Sequence, residues 1–260
     1  MIDYYSIIIE MLKENKPLIQ VTVIDKVGSI PASITSKMLV SKKGFEYGTI
    51  GGGALEQKAI NYALEIFGDL NKLNEITEWD LHKDVGMACG GKIKLLFEVV
   101  NPNNLNIVIF GAGHVCNALS KILITLNCSI TCIDFRQVML DKLPESYKIK
   151  PLLIENMPEF VEKIPKKSFV LIMTPNHELD WDVLKECLKR DFAYLGLMGS
   201  KSKIKWLKEK INEEGFPENF INKLHCPIGL SLGTNHPSEI AISITSHILQ
   251  ERDKQITLCL

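Results

Sequence analysis

The chain has 260 residues, 46% of them hydrophobic, which suffices for one large domain or two modest ones. Its formal net charge is −1, with both signs scattered, which excludes a basic nucleic-acid face and a polybasic membrane anchor. Apolar runs too short to span a bilayer, an N-terminus without a signal-peptide pattern, and seven cysteines without framework spacing point to a reduced, cytoplasmic protein with neither nucleic acid nor membrane as partner.

In chain order, Met1 to about Asn15 reads as an amphipathic helix with Ile8, Met11 and Leu12 on one face. Leu18–Asp25 is rich in β-branched residues and reads as a strand, and Gly28–Pro31 as a turn. Lys37–Ser41 and Phe45–Ile50 flank Lys42-Lys-Gly44 as a hairpin. Gly51-Gly52-Gly53 precedes a helix over Ala54–Phe67, and Asn74–Asp80 and Lys92–Val100 read as two more strands. Residues 1–100 therefore predict a small α+β domain with a largely antiparallel sheet, joined through polar Asn101-Pro-Asn-Asn104 to a second domain within 101–260.

The second domain opens with Asn106-Ile-Val-Ile-Phe-Gly111-Ala-Gly113-His114, an amphipathic segment, and Ser129-Ile-Thr-Cys-Ile-Asp134. Strand, glycine turn, helix, strand and acid within about 30 residues is the opening unit of a dinucleotide-type domain. Gly111 suits the tight turn, Gly113 lets a phosphate approach the backbone, and Asp134 stands where a ribose hydroxyl is read. Cys116 replaces the third glycine of that fingerprint. Tyr147–Ile154, Ser168–Thr174 and Phe192–Met198 read as further strands. Helices are expected over Leu179–Lys189, Lys201–Glu214 and Pro237–Glu251. The alternation predicts a Rossmann-like, doubly wound parallel sheet.

Ligands of such sheets sit beyond the carboxyl ends of the strands, where this chain places Gly111, Gly113, His114, Asp134, Arg136, Thr174, His177, Asp180, Ser200 and Lys201. His177 and Asp180 are a ligand or acid–base pair, or a helix-dipole partner beside a solvated ring. Arg136 pairs with a phosphate or with Asp134 itself. Ser200 is a natural N-cap, and Lys201 reaches a phosphate or stays solvated. Gly51-Gly52-Gly53 makes an anion nest, with Glu56 in the first helical turn as dipole compensation. Cys89, in the glycine loop Cys89-Gly90-Gly91, is a candidate thiolate for metal or sulfur, or else a buried inert thiol. Cys116, Cys128, Cys132 and Cys187 fall inside elements and read as packing.

Several of these pieces together resemble a known family. They are Gly48-Thr-Ile-Gly-Gly-Gly-Ala-Leu-Glu56, Gly86-Met-Ala-Cys89-Gly-Gly91, Gly111-Ala-Gly-His-Val115, Asp134 with Arg136, Gly196-Leu-Met-Gly-Ser200 with Lys203, and Pro227-Ile-Gly-Leu230 through Pro237-Ser-Glu-Ile-Ala-Ile-Ser243. In their order and number the chain resembles the XdhC/CoxI family, the xanthine dehydrogenase accessory factors that mature molybdenum hydroxylases. The resemblance implies a non-catalytic accessory protein, or chaperone. Such a protein binds the molybdenum cofactor (molybdopterin), works with a cysteine desulfurase that adds the terminal sulfur, and delivers the cofactor to an apo molybdenum hydroxylase, as a homodimer. In this sequence Gly51, Gly52, Gly53, Cys89, Gly111, Gly113, His114, Asp134, Arg136, Ser200 and Lys201 are the candidate cofactor contacts, Cys89 among them for molybdenum or sulfur. Two other readings compete. One is an NAD(P)-dependent oxidoreductase using the Gly111 turn, with His177 as acid–base. The other is a scaffold bridging the hydroxylase and the desulfurase. His247 stands in the last helix where the family commonly has an acid.

Overall fold

The computed structural model describes the chain except residues 1, 15, 29, 68–73, 88–89, 102–104, 218–220, 222 and 258–260. At 2, 201 and 255–257 it describes the backbone alone. It divides into two compact units, the second opening at Leu105.

The first unit is built on β1 (Leu18–Gly28), β2 (Lys37–Ser41), β3 (Gly44–Gly48), β4 (Asn74–Asp80) and β5 (Gly91–Val100). Their order is β3-β2-β1-β5-β4, and every pairing is antiparallel. Successive strand residues face opposite sides. Ile19, Val21 and Val23 of β1 accordingly join a core with Leu55, Ala59, Ala63 and Ile66 of helix α2 (Gly53–Ile66). Gln20 is turned to the other side, where the hydroxyl of Tyr4 in helix α1 (Ile2–Lys13) donates to its carbonyl oxygen. β1 runs three residues past its expected end, through Val27 to the glycine that opens the turn, because β5 stays paired to it as far as Gly28↔Gly91.

The second unit holds a five-stranded parallel sheet. Its strands are β6 (Leu105–Phe110), β7 (Cys128–Asp134), β8 (Ile149–Leu153), β9 (Phe169–Ile172) and β10 (Tyr194–Leu197), in the order β10-β9-β6-β7-β8. Counted within the unit this is 3-2-1-4-5 read from the far edge, the doubly wound pattern whose direction reverses beside its first strand. The near-continuous apolar run of β6 follows from burial on both faces. Ile107 and Ile109 meet α3 (His114–Leu123) and α8 (Pro237–Thr257). Val108 and Phe110 meet α6 (His177–Leu188) and α7 (Lys201–Glu213). Two short helices, α4 (Gln137–Leu140) and α5 (Met157–Phe160), lie in the connections around β8. A sixth, one-bridge partner joins the edge: His225 pairs in parallel with Gly196, its N–H donating to Leu195 O at 2.9 Å. α8 extends six residues beyond the expected Glu251.

Candidate functional site

The switch point lies between β6 and β9, and Gly111 sits in it at φ 99°. A Cβ there would lie 2.2 Å from the carbonyl oxygen of Met173, so the glycine allows the two strand ends to touch. Gly113 differs: its φ is −72°, and nothing lies within 4 Å of where its Cβ would be. It is the N-cap of α3, and among the described residues no side chain caps that helix. The first N–H groups of α3 thus have no side-chain acceptor among the described residues, and the positive end of the helix dipole lies behind them. His114 is the first residue of α3, and its side chain is exposed. Cys116, buried, fills the place of the third glycine, its Sγ 3.7 Å from Cys132 Sγ in β7. A thiol against a thiol thus substitutes for the closest helix–strand approach.

Asp134, at the end of β7, is fully buried. Its Oδ1 accepts from the Arg136 backbone N–H and Nε, each at 2.9 Å, and its Oδ2 from Arg136 Nη2 at 2.8 Å and the Ala112 N–H at 2.7 Å. A carboxylate offers about four lone-pair directions, and all are taken. Burial raises the Asp134 carboxyl, but Arg136 and the two backbone N–H groups outweigh it and hold the group below the usual carboxylate range. The pairing with Asp134, one of the two sequence readings of Arg136, is present. The acid in the ribose-reading position is spent inside the protein.

Asn176 caps α6 by accepting from the Leu179 N–H at 2.8 Å. His177 and Asp180, read either as a pair or as a dipole partner beside a solvated ring, do not pair with each other. His177 is exposed, its ring 6.0 Å from that of Trp206. Asp180 is turned inward: Oδ1 accepts from the Thr174 N–H at 2.9 Å and hydroxyl at 2.7 Å, and Oδ2 meets Lys203 Nζ. Lys203 also donates to Met198 O at 2.8 Å. Both charges are buried, so the pair pins the starts of α6 and α7 to the ends of β9 and β10. Its two residues were legible: Lys203 shares a helical stripe with Leu207 and Ile211, and Asp180 with Val183, Leu184 and Cys187, all buried. Ser200 is the N-cap of α7 by position, yet its hydroxyl bonds the Ser202 hydroxyl at 2.6 Å rather than a backbone N–H. Lys201 opens α7; its side chain lies outside the described residues.

In the first unit, the turn at Gly51-Gly52-Gly53 does form left-handed backbone before α2. Glu56 reaches back into it. Its Oε1 accepts from the Gly52 N–H at 3.0 Å and the Ile50 N–H at 3.2 Å, as well as from the Thr49 hydroxyl. The nest thus already holds an anion, the chain's own carboxylate. Cys89 lies outside the described residues.

A family model described as the XdhC Rossmann domain matches residues 107–248, more than half of the chain, and one described as the XdhC and CoxI family matches residues 11–73. The chain belongs to the XdhC/CoxI family. It is 30% identical over 249 residues to an Escherichia coli protein named uncharacterized protein YqeB, covering 93% of this chain and 44% of that one. It is 24% identical over 150 residues to a Bacillus subtilis protein named as a probable subunit of xanthine dehydrogenase, covering 57% of this chain and 43% of the other. This XdhC/CoxI chain thus spans less than half the length of these relatives. A crystal structure titled as a xanthine dehydrogenase from Bacillus halodurans has the same fold, with TM-score 0.52 and 20% identity over 95% of this chain and 96% of that one. Among the described residues, no helix is long and apolar enough to cross a membrane.

Proposed function

We propose that this chain is an accessory protein of a xanthine dehydrogenase-type molybdenum hydroxylase, and that its cargo is the molybdenum cofactor. It holds the cofactor while a cysteine desulfurase supplies the terminal sulfur, then delivers it to the apo-enzyme, working as a homodimer in the cytoplasm. Family membership supports the accessory role. The observation that carries the cargo reading is the uncapped start of α3 at Gly113, open at the switch point. The pterin's phosphate would rest on those N–H groups, bound by exchangeable hydrogen bonds rather than a closed pocket. Independently of that seat, and on the family resemblance alone, Cys89 of the first unit is the proposed soft donor toward molybdenum or its sulfur.

The sealed carboxylate of Asp134 weighs against the competing nicotinamide-dependent oxidoreductase, since a ribose diol would find no free acceptor there. His177, the acid–base of that reading, is exposed beside the Trp206 ring, and Asp180 is turned away from it toward Thr174 and Lys203. Transfer tests the proposal. Purified chain loaded anaerobically with molybdenum cofactor should activate an apo-hydroxylase faster than free cofactor does, and Cys89→Ser should lower the amount retained without lowering the melting temperature. Equal activation by free and chain-bound cofactor would remove the delivery role.

A further inference from the structure

The Asp134–Arg136 unit has a second side. The carboxylate fixes the guanidinium through Nε and Nη2, a two-point fork that leaves little rotational freedom. The arginine side chain remains about one-third exposed (34%), whereas the aspartate is at 0%. Phe135 lies beneath it, with the guanidinium carbon 5.2 Å from the ring centroid, and is itself exposed. Val138, two residues on, is also exposed. At the β7 end of the crevice, therefore, solvent meets no free carboxylate from Asp134. It meets a fixed cation on an apolar platform.

We infer that Arg136 is a specificity-determining residue that recognises a phosphomonoester at the position where a dinucleotide domain ordinarily reads ribose hydroxyls. The chemistry follows from the donors and acceptors present. A ribose diol needs an acceptor, and the acceptor here is saturated. A phosphomonoester is all acceptor, and an arginine held flat by its own carboxylate gives it a preorganised, charge-assisted donor edge. Asp134 acts as a positioning residue: it aims Arg136 and does not itself touch the ligand. Two sources could present such a group, a phosphorylated pterin or a nucleotide with a phosphate on its ribose. The inference deepens the cargo reading, because Arg136 Nη2 and the Ala112 N–H share Asp134 Oδ2, which sets the guanidinium beside the turn into α3 where one phosphate can meet both; it does not rest on the cargo being a molybdenum compound.

The test is a set of paired titrations of the whole chain, each pair differing by one phosphate. One pair is 2′,5′-ADP against 5′-AMP; the other is a phosphorylated pterin against its dephosphorylated form. At least one phosphorylated member should bind about tenfold or more tightly than its partner, the size expected of a charged hydrogen bond. Arg136→Gln should erase that preference, and Arg136→Lys, which keeps the ion pair but loses the fork, should restore part of it. Because Arg136→Gln leaves Asp134 buried without its cation, its melting temperature is followed alongside. Asp134→Asn serves as the second variant: it keeps the arginine charge and should blunt the preference by freeing the guanidinium. A preference confined to the first pair assigns a nucleotide, and one confined to the second assigns the pterin. No preference in either pair, or a preference unchanged in well-folded Arg136→Gln, overturns the inference. Pterin delivery to an apo-hydroxylase is read separately, so a failed cargo reading and a failed role for Arg136 give different results.

Discussion

Lys203 and Asp180 bury opposite charges against each other, with the carboxylate also held by the Thr174 backbone N–H and hydroxyl and the ammonium by Met198 O. Removing one partner of such a pair strands a buried charge, which costs roughly 3–5 kcal/mol, while replacing both can be nearly neutral. Lys203→Met should therefore destabilise the second unit by about that amount in urea unfolding. The double change Lys203→Met with Asp180→Asn should be markedly milder than the two single effects summed. Additive single effects would mean that the two groups do not depend on each other.

Gly111 makes a different demand. With φ at 99° and a virtual Cβ 2.2 Å from Met173 O, an alanine there meets both backbone strain and a clash with main chain. Gly111→Ala should lose about 3 kcal/mol or more, seen as a fall in the thermal midpoint. A midpoint within a degree or two of the parent would show that the β6 and β9 ends are not held in contact.

Much of this fold is written in the sequence. The parallel unit could be read because its strands are short apolar runs alternating with amphipathic helices, and β4 has the expected bounds, Asn74–Asp80. The site was harder. Asp134 looks like a ribose reader by spacing, and spacing does not show that an arginine two residues later folds back onto it. Glu56 likewise looks like a dipole partner, although it fills the glycine nest four residues before it. The four-residue helices α4 and α5 are too short to express a helical period. The last turns of α8 are mostly charged or polar, so the apolar stripe that marks a helix fades there.

His247, for which the sequence offered no reading, has one in the structure. Its Nδ1 is 3.0 Å from the Tyr194 hydroxyl, and its ring meets that of His225 edge-on at 4.8 Å, while His225 stacks on Tyr194 at 4.5 Å. Glu251 and Lys254 of α8 complete the charged surroundings. Burial lowers both histidines from their ordinary range; the neighbouring His247 adds to this for His225, and Glu251 opposes it. Folded histidines that resist protonation stabilise the protein fully above about pH 6.5. As the pH falls below that value the unfolded chain takes up protons first, and stability declines by at most about 1.4 kcal/mol per pH unit for each group. The thermal midpoint should drop between pH 7 and pH 5, and it should drop less in His247→Gln. An equal drop in both proteins would place the acid sensitivity elsewhere.

The proposed cargo seat at the start of α3 is the most direct point of attack. Gly113 has ordinary backbone angles and open space around it, so Gly113→Val should fold normally while its side chain stands in the path of a phosphate. The measurement is an anaerobic titration of parent and Gly113→Val with molybdenum cofactor, with co-purifying ligand identified by mass spectrometry and NAD(H) and NADP(H) titrated in parallel. Stoichiometric binding of the cofactor by the parent, weakened at least tenfold in Gly113→Val at an unchanged melting temperature, is the predicted result. Cofactor binding that is absent in the parent, or equal in the two proteins, would contradict a phosphate seat at α3.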